Sequence, residues 1–190
     1  MDNATTIKKL KRQITVLKKE NEKLHQLAIV DELTRLYNRR GFNQLGLYFF
    51  NEKPKNKIDQ RKNIKQNVML FLDLDDFKLV NDNYGHLKGD KVLKAFANFL
   101  KKKIRKEDLI VRFGGEEFLI ILNNINLEEA IKKANKLLND IRKQKFSKIK
   151  ITCSIGIIDL SKEYNISKAI EKADKLMYQA KKNGKNTICY

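Results

Sequence analysis

The chain has 190 residues, 42% hydrophobic and 34% charged, which is room for one globular domain plus an appendage. It contains no long apolar run and no apolar signal core near Met1, and its only cysteines are Cys153 and Cys189. A membrane span is therefore excluded, and a cytoplasmic protein with reduced thiols is expected. The formal charge of +18, from 41 Lys+Arg against 23 Asp+Glu, favours anionic partners but does not choose between nucleotide, nucleic acid and acidic lipid.

Residues 1–29 read as one helix with a heptad seam. With Ile7 at position a, the seam runs through Leu10, Ile14, Leu17, Asn21, Leu24 and Ala28, apolar at every step except Asn21. A lone Asn at an a position specifies register and two-strandedness at a cost in stability. The stripe is narrower than that of a helix packed on its own domain. The expectation is a parallel coiled coil, and hence a homodimer.

Asp31 to Tyr37 form a connector, and Asn38 suits an N-cap for a helix carrying Phe42, Leu45 and Phe49. Residues 51–67 hold the only proline, Pro54, among many Lys and Asn, and read as a mobile loop. Val68 to Leu72 is a short apolar run typical of a strand buried on both faces. It ends in Asp73-Leu74-Asp75-Asp76-Phe77-Lys78, where three carboxylates repel one another unless a cation sits among them. Asp73 and Asp75 share a face if the strand continues that far. Asn81, Asp82, Gly85, His86, Gly89 and Asp90 read as a tight polar loop, and Val92, Phe96, Leu100 and Ile104 mark a helix starting at Lys91.

Leu109 to Phe113 and Phe118 to Leu122 read as two strands joined through Gly114-Gly115-Glu116-Glu117. The glycines suit a hairpin because Gly takes positive φ without penalty. Two adjacent acids after such a turn either waste stability or hold a cation. Asn126 with Glu129 is a capping box that opens a helix over Leu127 to Ile141. Ile149 to Ile158 is a third core strand. A last helix carries Ile170, Ala173, Leu176, Met177 and Ala180, with Gly184 at its C-cap and an edge strand at Thr187 to Cys189. The order contains a βαββαβ unit, an α+β fold of the ferredoxin-like plan. In that plan the first strand neighbours the hairpin, so Asp73 should meet Glu116 and Glu117, a layout suited to metal-assisted phosphoryl chemistry.

Several ordered motifs carry a family resemblance. They are Asp31-x-Leu33-Thr34-x-Leu36-x-Asn38-Arg39-Arg40, Asp73-x-Asp75-x-Phe77-Lys78-x-x-Asn81-Asp82, Gly85-His86-x-x-Gly89-Asp90, Gly114 to Phe118, Ser154-Ile155-Gly156 and Ala173-Asp174 to Asn186. Together they make residues 30–190 resemble a GGDEF-family diguanylate cyclase domain, with a palm-like, nucleotidyl cyclase-like core and a mainly antiparallel sheet. The resemblance implies that two GTP condense to cyclic di-GMP and two pyrophosphates, each 3′-hydroxyl attacking the other α-phosphorus across a dimer. It implies two Mg²⁺ or Mn²⁺ per site, held by Asp73, the Leu74 carbonyl, Glu116 and Glu117, with Glu116 a candidate for 3′-hydroxyl activation.

The resemblance further assigns Asn81 and Asp90 to guanine, with Phe77, Gly114 and Gly115 lining the site. Lys78, Lys181 and Lys185 match cationic positions near the phosphates. The last is often Arg in the family, and Lys loses the bidentate geometry. Arg105 and Asp108 match an inhibitory site for the product, to be completed by a second basic surface. Two other classes stay open: a catalytically silent module that binds GTP or cyclic di-GMP, and a nucleic-acid-binding domain. No pattern of aromatic and basic residues supports the latter, so no nucleic-acid partner is expected.

Overall fold

Through the middle of the molecule runs β1 (Val68–Leu74), a strand buried along its whole length. The structure is a computed structural model that describes residues 7, 10–20, 29–50, 66–161, 163 and 165–190. β1 pairs antiparallel with β3 (Glu117–Leu122) on one side and with β4 (Cys153–Asp159) on the other. β2 (Leu109–Arg112) closes one edge against β3, and β5 (Ile188–Cys189) lies parallel to β4 at the other. The sheet order is β2-β3-β1-β4-β5. With α1 (Arg39–Leu45), α2 (Phe77–Tyr84), α3 (His86–Lys103), α4 (Leu127–Lys143) and α5 (Ile166–Lys182), this is the expected α+β arrangement.

Side-chain alternation sorts β1 onto two faces. Val68, Leu70, Leu72 and Leu74 enter one core with Phe96 and Leu100 of α3 and Leu138 and Ile141 of α4. Met69 and Phe71 enter the other with Phe42 of α1 and Ala169, Ala173 and Met177 of α5. The same parity puts Asp73 on the α5 face. In β3, Leu119 and Ile121 share that face, which puts Glu117 there too. α5 lies unusually close to the sheet at Gly156, where an added Cβ would stand 2.1 Å from the Ala173 carbonyl oxygen and 2.5 Å from the Met177 nitrogen.

The capping residues act as their side chains suggest. Asn38 Oδ1 accepts from Gly41 N at 2.9 Å, and Asn126 Oδ1 accepts from Glu129 N at 2.9 Å. Gly184 follows α5 at φ +103, a conformation that glycine adopts without strain. Two expected boundaries need correction. The polar stretch from Asn81 to Asp90 is helical, belonging to α2 and α3 on either side of Gly85, and α3 starts at His86 instead of Lys91. Within that stretch only Gly89 is buried, with Phe77 and Val80 before it and Val92 after it, so the helical period is hidden. The third core strand starts at Cys153, because Phe146 and Ile149 bridge each other across a turn in which Ser147 and Lys148 have positive φ.

Residues 10–20 are helical, as expected for the N-terminal segment, whereas Asn21, Leu24 and Ala28 of the seam lie outside the described residues. So does most of the expected loop, residues 51–65. Both cysteines are free, and burial pushes the Cys153 thiol well up from its ordinary value. Among the described residues, no helix is long and apolar enough to cross a membrane.

Candidate active site

Asp73 and Glu117 are direct cross-strand partners in the β1–β3 register. Such partners hold their Cα atoms about 4.5–5.5 Å apart, so the two distant acidic segments do converge. The next step of the ladder is a hydrogen bond from Leu74 N to the Glu116 carbonyl oxygen at 3.3 Å. Only 5% of Asp73 is exposed. Its Oδ1 lies 2.8 Å from Lys181 Nζ, but the angles are not those of a hydrogen bond, and the oxygen is the one buried side-chain polar atom without such a bond among the described residues. Burial raises the Asp73 carboxyl above its ordinary value, outweighing the lowering by Lys181. Burial also raises Glu117, helped by the negative charges of Asp73, Asp174 and Glu116. A half-dry place with more negative than positive charge is one that a divalent cation stabilises.

The glycines act differently from expectation. Neither Gly114 nor Gly115 has positive φ. Gly114 lies under the Glu117 carboxylate: an added Cβ would stand 2.1 Å from Glu117 Oε2, so that side chain would have to swing off the turn. Gly115 faces open space. The turn is held from outside by Arg112, which donates from Nε and Nη2 to the Gly115 carbonyl oxygen at 3.1 and 2.8 Å. Its Nη1 donates to Asp31 Oδ1 and Oδ2 at 3.2 and 3.1 Å. Asp31 Oδ1 also accepts from Thr34 N and Oγ1 at 2.8 and 2.6 Å. Although burial raises Asp31, these bonds prevail and hold its carboxyl below its ordinary value. The connector and the turn thus form one rigid unit, a role for Asp31 and Arg112 that sequence spacing does not suggest.

The three acids at the end of β1 separate into different tasks. The strand ends at Leu74, so Asp75 does not continue the Asp73 face. Asp75 instead accepts from Ser154 Oγ and Thr152 Oγ1, each at 2.6 Å, and from Asn186 N at 3.0 Å. Fully bonded, it ties β1, β4 and the turn after α5 together. Asp76 has φ +56 and pairs with Lys185 Nζ at 2.6 Å. Lys185 and Asn186 both have positive φ, and Arg142 holds Asn186 by two bonds, at 2.9 Å to Oδ1 and 2.7 Å to the carbonyl oxygen.

Asn81 of α2 stands against Gly89 of α3, next in sequence to Asp90, and an added Cβ there would be 2.0 Å from Asn81 Oδ1. Phe77 is 3.2 Å from the same point and is a buried core residue. Lys78 is exposed on the first turn of α2. The structure therefore brings Asp73 and Glu117 together with Lys181 beside them, sets Lys185 on Asp76, and places Asn81 against the turn of α3 that carries Asp90.

Arg105 and Asp108 lie apart from this group, at the rim of a cavity of about 260 Å³ between the end of α3 and α4. Lys102, Lys103, Lys133 and Lys136 also line it, which supplies basic groups from a second element. Asp108 accepts from Arg105 N at 3.3 Å and from Asn123 N at 2.8 Å, so its carboxylate also shapes the loop.

Among the described residues, no three His, Cys, Asp or Glu side chains form a ready metal cluster. The available donors nevertheless fit a hard divalent cation. Asp73 and Glu117 offer carboxylate oxygens, one of them buried without a hydrogen bond, and Glu116 has no hydrogen bond or ion pair of its side chain among the described residues. Oxygen-only sets suit Mg²⁺ and Mn²⁺.

Residues 28–187 match the family described as diguanylate cyclase, GGDEF domain. The chain is 36% identical over 177 residues to the diguanylate cyclase DgcM of Escherichia coli, covering 92% of this chain and 41% of that protein. It is 35% identical over 172 residues to the diguanylate cyclase DgcP of Pseudomonas aeruginosa, covering 88% of this chain and 24% of that protein. It therefore spans less than half of either relative. Among solved structures, the coiled coil and GGDEF domain of DgcB from Caulobacter crescentus, in complex with c-di-GMP, has the same fold, with a TM-score of 0.77 at 21% identity over 98% of this chain and 97% of that one.

Proposed function

The chain belongs to the family of GGDEF-domain diguanylate cyclases, and from that premise we propose that it condenses two GTP into cyclic di-GMP and two pyrophosphates. The observation that carries the reading is the Asp73–Glu117 register pair with its unsatisfied, buried Asp73 Oδ1. Two Mg²⁺ or Mn²⁺ held by Asp73, the Leu74 carbonyl, Glu116 and Glu117 would lower the 3′-hydroxyl pKa and offset phosphate charge. Asn81 and Asp90 read the guanine, since a carboxylate accepts from the N1–H and N2–H₂ that adenine does not offer. Lys78, Lys181 and Lys185 serve the phosphates. Glu116 accepts the proton of the 3′-hydroxyl. Gly115, with no side chain and open space around it, leaves room for the nucleotide across the turn.

One GTP per domain requires two domains face to face. The described seam residues Ile7, Leu10, Ile14 and Leu17 are 53%, 52%, 51% and 62% exposed in the single chain. An apolar seam left this open supports pairing of residues 1–29 as a parallel coiled coil that brings domains 30–190 together. Cyclic di-GMP returns to Arg105 and Asp108, with the lysines of α4 on the facing wall, and slows the enzyme. The test is chromatography of nucleotides after incubation with GTP and Mg²⁺. Cyclic di-GMP should form, and added cyclic di-GMP should slow the wild type but not Arg105→Ala. Binding of GTP with no cyclic dinucleotide formed would refute the enzyme reading.

A further inference from the structure

The two lysines of the α5 end, assigned above to the phosphates, are both occupied in the free protein. Lys181 Nζ is 2.8 Å from Asp73 Oδ1, and Lys185 Nζ is 2.6 Å from Asp76 Oδ1. Each therefore sits on a carboxylate of the segment that must receive metal and nucleotide. Lys181 is the more consequential, because its partner oxygen is the buried atom that no hydrogen bond satisfies. A cation close to that oxygen without hydrogen-bond geometry occupies the position that a spherical ion fills better.

The backbone of Lys181 has little freedom, since α5 is packed on Gly156 at backbone contact and Ala180 is fully buried. Its side chain, 31% exposed, can swing on a four-carbon stem. We propose that Lys181 is a built-in counter-ion, which yields Asp73 to the divalent cation and moves onto the triphosphate, so that metal and nucleotide bind as a coupled pair. Metal entering alone must turn the lysine out into water and lose the ion pair. Metal entering with nucleotide turns it onto an anion. By linkage, the factor by which nucleotide tightens metal equals the factor by which metal tightens nucleotide, and Lys181 contributes to both. The inference rests on the cyclase reading for the identity of the nucleotide alone.

The test is Mn²⁺ binding to the full chain, read by calorimetry and by the resonance signal of free Mn²⁺, without turnover. Without nucleotide, Lys181→Met should bind Mn²⁺ about fivefold tighter than wild type, because the competing charge is gone. The gain in Mn²⁺ affinity on adding 3′-deoxy-GTP, which lacks the attacking hydroxyl, should be smaller in the variant by about the same factor. Lys182→Met, which removes the same charge at the next residue, should change Mn²⁺ affinity by no more than about twofold. Lys181→Gln serves if circular dichroism shows that the Met variant is misfolded. Unchanged or weaker Mn²⁺ binding in the Lys181 variant, or equal tightening in Lys182→Met, overturns the proposal. If wild type makes no cyclic di-GMP, the cyclase reading fails, while the nucleotide-free Mn²⁺ comparison still decides the role of Lys181.

Discussion

Gly156→Ala is a test of how α5 is set on the sheet. The new Cβ would stand 2.1 Å from the Ala173 carbonyl oxygen, about 1.3 Å inside the 3.4 Å at which ordinary contact begins. A second backbone atom, Met177 N, is at 2.5 Å. Neither is the end of a flexible side chain, so the helix itself must lift. Ala169, Ala173, Met177 and Ala180 would then lose part of their close packing. Overpacking of this kind costs about 1–3 kcal/mol, and the backbone contact places this case near about 3 kcal/mol. That is a substantial part of the roughly 5–15 kcal/mol that holds a domain folded. The lift also carries Lys181 away from Asp73, and a misplacement of about 1 Å can lower turnover by roughly 10²-fold. Urea unfolding gives the first quantity and initial rates of cyclic di-GMP formation the second. A variant within about 0.5 kcal/mol of wild type would show that α5 does not depend on this contact.

Three further outcomes are expected. Asp73→Asn should lower turnover by at least about 10³-fold without lowering the melting temperature, because the lost charge is metal-binding and its burial is a cost to folding; unchanged turnover would refute the metal role. Asp31→Asn should lose about 1–2 kcal/mol at pH 7 through weaker bonds to Thr34 and Arg112. Since the folded Asp31 carboxyl lies below its ordinary value of 3.8, its contribution is present above that pH and is lost as pH falls through the folded pKa. The urea stability gap between the two proteins should therefore close below about pH 4, and a gap that stays constant to about pH 3 contradicts the ion pair's role. Deleting residues 1–29 should make specific activity rise steeply with protein concentration, as two domains then meet only by diffusion; full activity of a dimeric deletion variant at nanomolar dilution would count against the coiled coil.

Much of this architecture is legible in the chain because alternation and apolar runs act locally. Val68 to Leu72 and Phe118 to Ile121 announce buried strands, and the asparagines at 38 and 126 mark helix starts from their own chemistry. Helix α2 and the first turn of α3 were not legible, because their inward faces are short and one inward residue is Gly89. The site was legible as a set of residues, through motifs, but not as a set of contacts. Arg112 and Asp31 are 81 residues apart, and nothing in their local sequence indicates that one carbonyl and one carboxylate share that guanidinium.

By itself, then, the sequence determined the order of the strands and of the longer helices and the acids that can carry the chemistry, since side-chain period and residue type need no partner to be read. Tertiary structure decided which acid does what. Asp73 and Asp75 are equivalent by parity, yet the strand ends between them, so one meets Glu117 and Lys181 while the other is consumed by Thr152, Ser154 and Asn186. It also changed the reason for the glycines: Gly114 makes room for the Glu117 carboxylate, and Gly156 lets a helix backbone approach the sheet. Such roles depend on what stands across the gap, and that neighbour comes from distant parts of the chain.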